Sequence, residues 1–324
     1  MRVIFVVLLA YTLALAQAPA PGSLAERIGH TDPAKRGSGR SHGSLGDMKC
    51  QTLVPRGVIP FLNFVHRCEM TAPDGGVGAH FHNTGEEMFV VFDGEAEFTI
   101  DGHTSLLKGH VVGAPLRMGH SHAIYNPGSQ GVQFMNIQVG AVDGEASDAF
   151  NLGDPRKGAP KDSLPVFMSM HLEKTSPPQT QGRSGRGRGT AGRGGAGQWG
   201  ATGALQEVQN YHGGKGAARY RRALHPVIFS TNWAYVDHLI LSPGSADGKH
   251  RHPHVGEVYY VLDGSGEVTV NSETVAIRAG DAIPVRPDEA HSFANNSSGD
   301  LEFMIIGIST QKGVIDTVEA GISQ

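Results

Sequence analysis

Short apolar runs recur along two long stretches of the chain and are separated by turn-forming residues. In residues 46–142 and again in residues 205–312, Gly, Pro, Asn and Asp interrupt the runs at intervals of about ten residues. Short strands with regular turn signals are typical of β-sandwiches and β-barrels. The pattern therefore predicts an all-β protein with one barrel-like domain in each stretch.

The two stretches contain copies of the same unit. FVVFDGEAEFTI (residues 89–100) aligns with YYVLDGSGEVTV (residues 259–270), and HAIYNPGSQGVQFM from His122 aligns with HSFANNSSGDLEFM from His291. Solenoids and propellers use more copies of a shorter unit. We therefore expect two tandem barrels.

The N-terminal residues predict export from the cytoplasm. Arg2 precedes an apolar run from Val3 to Ala16, and Ala16, Gln17 and Ala18 form a small-residue cleavage pattern. The run is shorter than the ~20 residues that a membrane span needs. Residues 1–18 are therefore predicted to be a signal peptide, the mature protein to be secreted or periplasmic, and no membrane to be a partner.

Other compositional signals divide the rest of the chain. The parts are an irregular arm (19–45), an N-terminal barrel (46–142), a connector (143–204), a C-terminal barrel (205–312) and a tail (313–324). Residues 179–200 of the connector are rich in Gly and Arg, which predicts a flexible linker. The net charge of -4 disfavours a general positive field, so no nucleic-acid partner is expected.

Each copy carries a histidine and glutamate cluster with the spacing H-x-H-x4-E-x6-G, followed later by another histidine. The candidate ligands are His80, His82, Glu87 and His122 in copy one, and His250, His252, Glu257 and His291 in copy two. Residues two apart on a strand face the same side, so each His-x-His pair points into one space and a hairpin returns the glutamate to it. Three imidazoles and one carboxylate suit a divalent transition metal such as Mn, Fe, Ni or Cu.

Two of these ligands have rivals in the neighbouring sequence. His122 aligns with its counterpart in copy two without a gap in the residues that follow, whereas His120 would be shifted. Glu87 keeps the spacing to Gly94, whereas Glu86 does not. We therefore predict His122 and Glu87 as the ligands.

The chain has only two cysteines, Cys50 and Cys68. An oxidising compartment permits a disulfide between them, and their spacing allows a bridge between neighbouring strands. The geometry that a bridge requires is not visible in the sequence. The sequence is therefore compatible both with a disulfide and with two buried thiols.

The clusters resemble the first motif of the cupin superfamily, G(x)5HxH(x)3-4E(x)6G, at His80 to Gly94 and at His250 to Gly264. The later segments resemble the second motif less closely, because Arg286 stands where the family usually has Pro. The resemblance is to bicupins. It implies two jelly-roll barrels, each with a metal ion inside its mouth, a small-molecule substrate, and compatibility with a homo-oligomer.

The resemblance implies several activities. In quercetinase-type dioxygenases the same three-His, one-Glu centre acts on a flat organic substrate. Strand alternation turns Phe89, Val91, Tyr259 and Val261 towards the ligands here, which favours such a substrate. A metal-dependent dioxygenase is therefore the first expectation, with Glu87 or Glu257 also acting as a catalytic base.

Two alternatives remain. Secreted oxalate decarboxylases resemble the chain in their paired metal centres, and their manganese would then be the metal. They usually carry an Arg three residues before the first histidine, where this chain has Val77 and Asp247. A non-enzymatic cupin that binds a metal or a small ligand is the other alternative, since fold does not determine function.

Overall fold

The computed structural model describes residues 22–153, 168–169 and 204–319. Most of these residues lie in β-strands, which confirms the all-β prediction. The predicted signal peptide, residues 1–18, and the Gly/Arg-rich linker, residues 179–200, lie outside the described residues. Within the described part, no helix is long and apolar enough to cross a membrane.

The described elements are one short helix, three 3-10 turns and a series of short strands. The helix α1 spans Leu24–Arg27, and the turns span Pro33–Lys35, Tyr211–Gly213 and Pro226–Ile228. The strands are β1 Gly29–His30, β2 Gly37–Gly39, β3 Met48–Pro55, β4 Leu62–Met70, β5 Gly76–Phe81, β6 Gly85–Val91, β7 Glu95–Ile100, β8 His103–Lys108, β9 Val112–Leu116, β10 His122–Tyr125, β11 Val132–Gly140, β12 Phe150–Gly153, β13 Met168–Ser169, β14 Gln206–Gln209, β15 Ala217–Leu224, β16 Trp233–Leu241, β17 Ala246–Arg251, β18 Val255–Asp263, β19 Ser265–Val270, β20 Glu273–Arg278, β21 Asp281–Val285, β22 His291–Ala294, β23 Leu301–Ser309 and β24 Val318–Glu319.

The strands form two barrels with the same topology. The N-terminal barrel contains a seven-stranded sheet, β13-β9-β6-β11-β4-β3-β2, and a five-stranded sheet, β12-β5-β10-β7-β8. The C-terminal barrel contains the sheets β1-β21-β18-β23-β16-β15-β14 and β24-β17-β22-β19-β20. The strand orders match position by position. The internal sequence repeat thus folds as two tandem β-barrels, as predicted.

The two barrels exchange one edge strand. Strand β1 precedes the N-terminal barrel but pairs with β21 of the C-terminal barrel. Strand β13 precedes the C-terminal barrel but pairs with β9 of the N-terminal barrel. Each exchanged strand covers an edge that would otherwise present unpaired backbone groups.

The arm, residues 19–45, was expected to be irregular, but its described part contains α1, β1 and β2. The side chains of Leu24 and Ile28 are buried and belong to the interior core of the C-terminal barrel. This apolar burial and the pairing of β1 give the arm its structure. The arm therefore packs on the C-terminal barrel, although it precedes the N-terminal barrel in the sequence.

Strand alternation divides the side chains of β6 between two cores. Phe89 and Val91 lie in the interior core of the N-terminal barrel. Met88 and Val90 lie on the other face, in a core shared with apolar residues of the C-terminal barrel such as Trp233. The large sheets of the two barrels therefore pack together through their outer faces, while their inner faces surround the candidate ligands.

Cys50 and Cys68 form a disulfide. They are directly paired residues of the neighbouring strands β3 and β4, and their Cα atoms are 4.1 Å apart. The structure therefore resolves the alternative that the sequence left open. The bridge ties the outer strands of the large N-terminal sheet together.

Candidate metal centres

The structure brings together the predicted ligands of the N-terminal barrel. His80 lies on β5, Glu87 on β6 and His122 on β10, and His82 directly follows β5. Their candidate ligand atoms all lie within 4.8 Å of one another, and all four residues are buried. Glu87 Oε2 is 3.2 Å from His122 Nε2, and Glu87 Oε1 is 3.5 Å from His82 Nε2. These four residues are called the N-terminal centre.

The C-terminal barrel repeats this arrangement with the other four predicted ligands. His250 lies on β17, Glu257 on β18 and His291 on β22, and His252 directly follows β17. Their ligand atoms again lie within 4.8 Å of one another. Glu257 Oε2 is 3.2 Å from His252 Nε2 and 3.1 Å from His291 Nε2. These residues are called the C-terminal centre.

The backbone fixes the orientation of every imidazole in the two centres. Each Nδ1 donates to a carbonyl oxygen: His80 to Gly78 (2.8 Å), His122 to His120 (3.0 Å), His250 to Gly248 (2.8 Å), His291 to Glu289 (3.0 Å), His82 to Asp148 and His252 to Asp316. A donor at Nδ1 leaves Nε2 as the basic nitrogen that points into the centre. Asp148 and Asp316 follow the last long strands of their barrels, so the segments after each barrel help to hold the centre.

The residues present fit a metal ion. The Nε2 atoms of His80, His250 and His252 are buried and have no hydrogen-bond partner. A buried polar atom without a partner is costly, and a metal ion would satisfy all three atoms. The chemistry of the donor set, three imidazoles and one carboxylate, suits a divalent transition metal. Both centres are therefore His/Glu groups suited to one divalent ion each.

The ligands of the C-terminal centre have shifted pKa values. Burial lowers the pKa of His252, but the Glu257 carboxylate raises it to about 9, so a metal that binds there must displace a proton. Burial, together with the neighbouring His291, lowers the pKa of His250 to about 2, so its imidazole is neutral. Burial opposes ionisation of Glu257, but the nearby His252 and His291 hold its pKa well below the usual value. A neutral imidazole and an ionised carboxylate are the forms that bind a metal.

The rival residues lie outside the centres. The carboxylate of Glu86 lies on the face of β6 that points away from the N-terminal centre. It accepts hydrogen bonds of 2.8 Å from the backbone N–H groups of Ser230 and Thr231. His120 donates to Asp101 Oδ2 at 2.6 Å on an exposed loop. Glu86 therefore joins the two barrels, and His120 contributes only its backbone carbonyl to the N-terminal centre.

The two glutamate ligands have different hydrogen-bond donors. In the N-terminal centre, Gln138 Nε2 donates to Glu87 Oε1 at 2.9 Å. In the C-terminal centre, the Tyr235 hydroxyl donates to Glu257 Oε1 at 2.7 Å and the Tyr259 hydroxyl donates to Oε2 at 3.1 Å. The inward orientation of Tyr259 was predicted from strand alternation. Tyr235 was missed, because it lies on another strand, β16.

A cavity of about 250 Å³ adjoins the C-terminal centre. It is lined by phenol, imidazole and carboxylate groups, one guanidinium and a few apolar side chains, from Tyr211, His212, Tyr220, Arg222, Tyr235, Asp237, His252, Glu257, Tyr259, Ile305, Ile315 and Thr317. Ile315 and Thr317 belong to the predicted tail, which is therefore part of the wall. The tail is held in place by β24, which pairs with β17.

A polar group on β15 and β16 forms one wall of this cavity. Arg222 donates from Nε and Nη2 to the two oxygens of Asp237, at 2.9 and 3.0 Å. The Tyr220 hydroxyl donates to Asp237 Oδ2 at 2.8 Å. No sequence motif indicated this group. The signal was the spacing of two between Tyr220 and Arg222 on a strand, which turns both to the inner face.

Comparisons with known proteins agree with the fold. The family model described as a cupin domain matches residues 237–307. An oxalate-binding protein of Thermotoga maritima is 33% identical over 101 residues, which cover 31% of this chain and 84% of that protein. Oxalate decarboxylase of Bacillus subtilis is 15% identical, with a TM-score of 0.53 over 90% of this chain and 78% of that one. AerE of Microcystis aeruginosa is 11% identical, with a TM-score of 0.52 over 87% of this chain and 99% of that one.

The two structural likenesses, at such low identity, concern the fold alone. The Thermotoga relative, the cupin domain match and the two His/Glu centres together identify the family. The chain belongs to the cupin superfamily and is a bicupin with a His/Glu centre in each barrel.

Proposed function

We propose that this bicupin is a secreted, metal-dependent oxidoreductase of the dioxygenase type that acts on a small organic substrate at its C-terminal centre. The cavity beside Glu257 and His252 carries the proposal. Its volume of about 250 Å³ is slightly below the ~300–1,000 Å³ of common small-molecule sites. It therefore suits a small substrate, and one that reaches the open positions of a metal held by four protein ligands.

Differences between the barrels support the C-terminal centre as the working one. Tyr235 pairs across the sheet with Gly307, whereas the equivalent pair in the N-terminal barrel is Phe64 with Gln138. Phe64 stacks on the ring of His66 at 3.9 Å. The N-terminal barrel thus has apolar packing where the C-terminal barrel has a phenol that faces its cavity. We assign a structural role to the N-terminal metal.

The residues of the cavity have separate roles in this proposal. His250, His252, Glu257 and His291 would hold a divalent ion, which would supply Lewis-acid activation of a chelating substrate. Tyr235 and Tyr259 fix the orientation of the Glu257 carboxylate. The two hydrogen bonds favour a Glu257 that stays in place, so its second role as a catalytic base remains a prediction, as does that of Glu87.

The walls of the cavity select the substrate. The phenol of Tyr220 and the paired Arg222 and Asp237 offer both donors and acceptors to hydroxyl or carboxylate groups. Ile305 and Ile315 contribute apolar surface on another side. This mixture suits a hydroxylated organic acid or a similar compact molecule with an apolar part.

A second candidate is a lyase of the oxalate decarboxylase type. The Thermotoga relative is named as an oxalate-binding protein, which favours a small carboxylate ligand. The positions where that type of enzyme usually has an arginine hold Val77 and Asp247. Arg222 reaches the cavity from β15 instead, so a guanidinium lies in the wall although it is paired with Asp237.

Metal content and gas exchange test the proposal. Protein matured in the periplasm should retain a divalent metal in both centres, measured by mass spectrometry. It should then be incubated with flavonols, diketones, hydroxy acids and oxalate while dioxygen and carbon dioxide are followed. Stoichiometric dioxygen uptake supports the oxidoreductase, whereas carbon dioxide release without net dioxygen uptake supports the lyase.

Two matched variants identify the working centre. Glu257→Gln should abolish turnover, whereas Glu87→Gln should leave turnover in the C-terminal centre if that variant stays folded. Binding of a substrate without any turnover would overturn the enzyme proposal in favour of a binding protein. Absence of metal from both centres would overturn the proposal altogether.

A further inference from the structure

A fourth histidine lies against the three histidine ligands of each metal centre. The ring of His42 stacks on His80, with centroids 3.7 Å apart and an angle of 6° between the planes. The ring of His212 packs on His250 at 3.9 Å and 48°. In each barrel the contacted ring is the first ligand of the His-x-His pair. Neither His42 nor His212 belongs to a motif that the sequence analysis used.

The backbone holds both histidines in the same unusual conformation. The φ angles of His42 and His212 are 51° and 48°, in the left-handed region that few residues other than glycine occupy. Gly78 and Gly248, each two residues before the first ligand, make room for them. A Cβ atom at Gly78 would lie 2.0 Å from the His42 carbonyl oxygen, and one at Gly248 would lie 1.9 Å from that of His212.

A side-chain hydrogen bond fixes each ring. His42 Nδ1 lies 2.6 Å from Asn151 Oδ1, and His212 Nδ1 lies 2.9 Å from Asp247 Oδ1. The anchors come from unrelated places, since Asn151 is on β12 and Asp247 is on β17. The two copies have therefore kept the packed histidine while they changed the residue that holds it. The same backbone conformation and the same ring contact therefore recur at both centres.

The anchors also make the two centres electrostatically different. Asp247 is 1% exposed, and its Oδ1 atom lies 3.6 Å from Nδ1 of the ligand His250. The corresponding residue three positions before His80 is Val77. When ionised, this buried carboxylate would add negative charge near a metal ion held by His250, and Coulomb interactions are strong where water is excluded.

We propose that His42 and His212 are positioning residues, which pack on the first histidine ligand of each centre and hold its ring in the orientation for metal binding. The single Nδ1 hydrogen bond of His80 or His250 leaves the ring able to tilt about the bond that carries it. The packed imidazole blocks this tilt and excludes water from that face. The inference rests on the proposed metal binding and is independent of the proposed reaction.

Metal affinity in single-centre proteins tests the role. The parent for the C-terminal centre carries Glu87→Gln and His122→Ala, and the parent for the N-terminal centre carries Glu257→Gln and His291→Ala. Cobalt(II) is used as the probe, with its dissociation constant from chelator competition and its visible spectrum as readouts. In each parent the packed histidine is changed to Ala or to Phe.

The Ala variants should bind cobalt at least about 10-fold more weakly, as is usual when a residue that supports a metal ligand is lost. The Phe variants keep a ring on the ligand and should recover most of the affinity and the spectrum. Asp247→Asn should change the spectrum of the C-terminal centre, whereas Asn151→Ala should act only on the N-terminal centre. The unfolding midpoint of the metal-free protein serves as the folding control.

Ala variants that fold and bind cobalt like their parents would overturn the positioning role. Equal losses for Ala and Phe would also overturn it, because they would show that the ring packing is not what matters. Parents that bind no cobalt at all would instead contradict the proposed metal function. The two failures are thereby distinguishable.

Discussion

The hydroxyl of Tyr235 donates a 2.7 Å hydrogen bond to Glu257. The residue paired with Tyr235 is Gly307, where a Cβ atom would lie 2.5 Å from the Tyr235 ring. In the N-terminal barrel the equivalent pair is Phe64 and Gln138, and there the amide of Gln138 is the donor. This strand pair thus contributes a donor to the glutamate in both barrels, but the donor comes from β16 in one barrel and from β11 in the other.

Removal of either donor should weaken only its own centre. Tyr235→Phe keeps the ring and removes the hydroxyl, so Glu257 loses one of the groups that orient it. We expect the metal affinity of the C-terminal centre to fall about 10-fold or more, as measured by competition with a chelator. Gln138→Ala is the matched variant for the N-terminal centre. A loss in both centres with either variant would contradict this account.

Substitutions of the adjacent residues Glu86 and Glu87 should affect different properties, stability for Glu86 and metal content for Glu87. Glu86 accepts hydrogen bonds from Ser230 and Thr231 of the other barrel, so Glu86→Gln should lower the free energy of unfolding by about 1–3 kcal/mol. It should leave the metal content unchanged. Glu87→Gln should reduce the metal content of the N-terminal centre. Urea unfolding and metal analysis of both variants check the prediction, and metal loss in Glu86→Gln would contradict it.

The disulfide should contribute measurably to stability. Cys50 and Cys68 are 18 residues apart, and a bridge over a loop of that size stabilises a protein by about 3 kcal/mol. The double variant Cys50→Ala, Cys68→Ala should lose that amount in denaturant unfolding. Reducing agent should destabilise the wild type and leave the double variant unaffected. Equal sensitivity of both proteins to reductant would refute the prediction.

The packing between the barrels should contribute to the stability of the protein. Trp233 is 1% exposed and lies in the core shared by the two large sheets. Trp233→Ala should cost about 3–5 kcal/mol. Val227, which is 71% exposed, is the control, since Val227→Ala should change the stability by less than about 0.5 kcal/mol. A Trp233→Ala protein with wild-type stability would show that the shared core matters little.

Much of the fold followed from local pattern. The alternation in β6 and β18 placed Phe89 and Tyr259 on the inner faces, and the two sequence copies predicted two barrels of the same topology. The spacing of His80, His82 and Glu87 predicted that their side chains lie together, because the spacing along a strand and a hairpin determines which side chains share a face.

The remaining features depend on contacts between distant segments. Arg222 and Tyr235 reach the cavity from strands whose pairing is not encoded in any short motif. His42 lies between β2 and β3, and His212 lies in the turn between β14 and β15. At both positions a positive φ angle, rather than a periodic pattern, sets the side-chain position. The arm escaped prediction because Leu24 and Ile28 bury their side chains in the C-terminal barrel, far along the chain.

The exchange of β1 and β13 gives the chain the topology of a fused dimer. If a one-barrel ancestor donated its leading strand to an identical subunit, joining the two subunits end to end would produce the strand orders observed here. Such reciprocal donation is a low-cost route to dimers. Neither half of the gene then encodes a self-sufficient barrel, so two separately expressed halves should reassemble by complementation rather than fold as independent proteins.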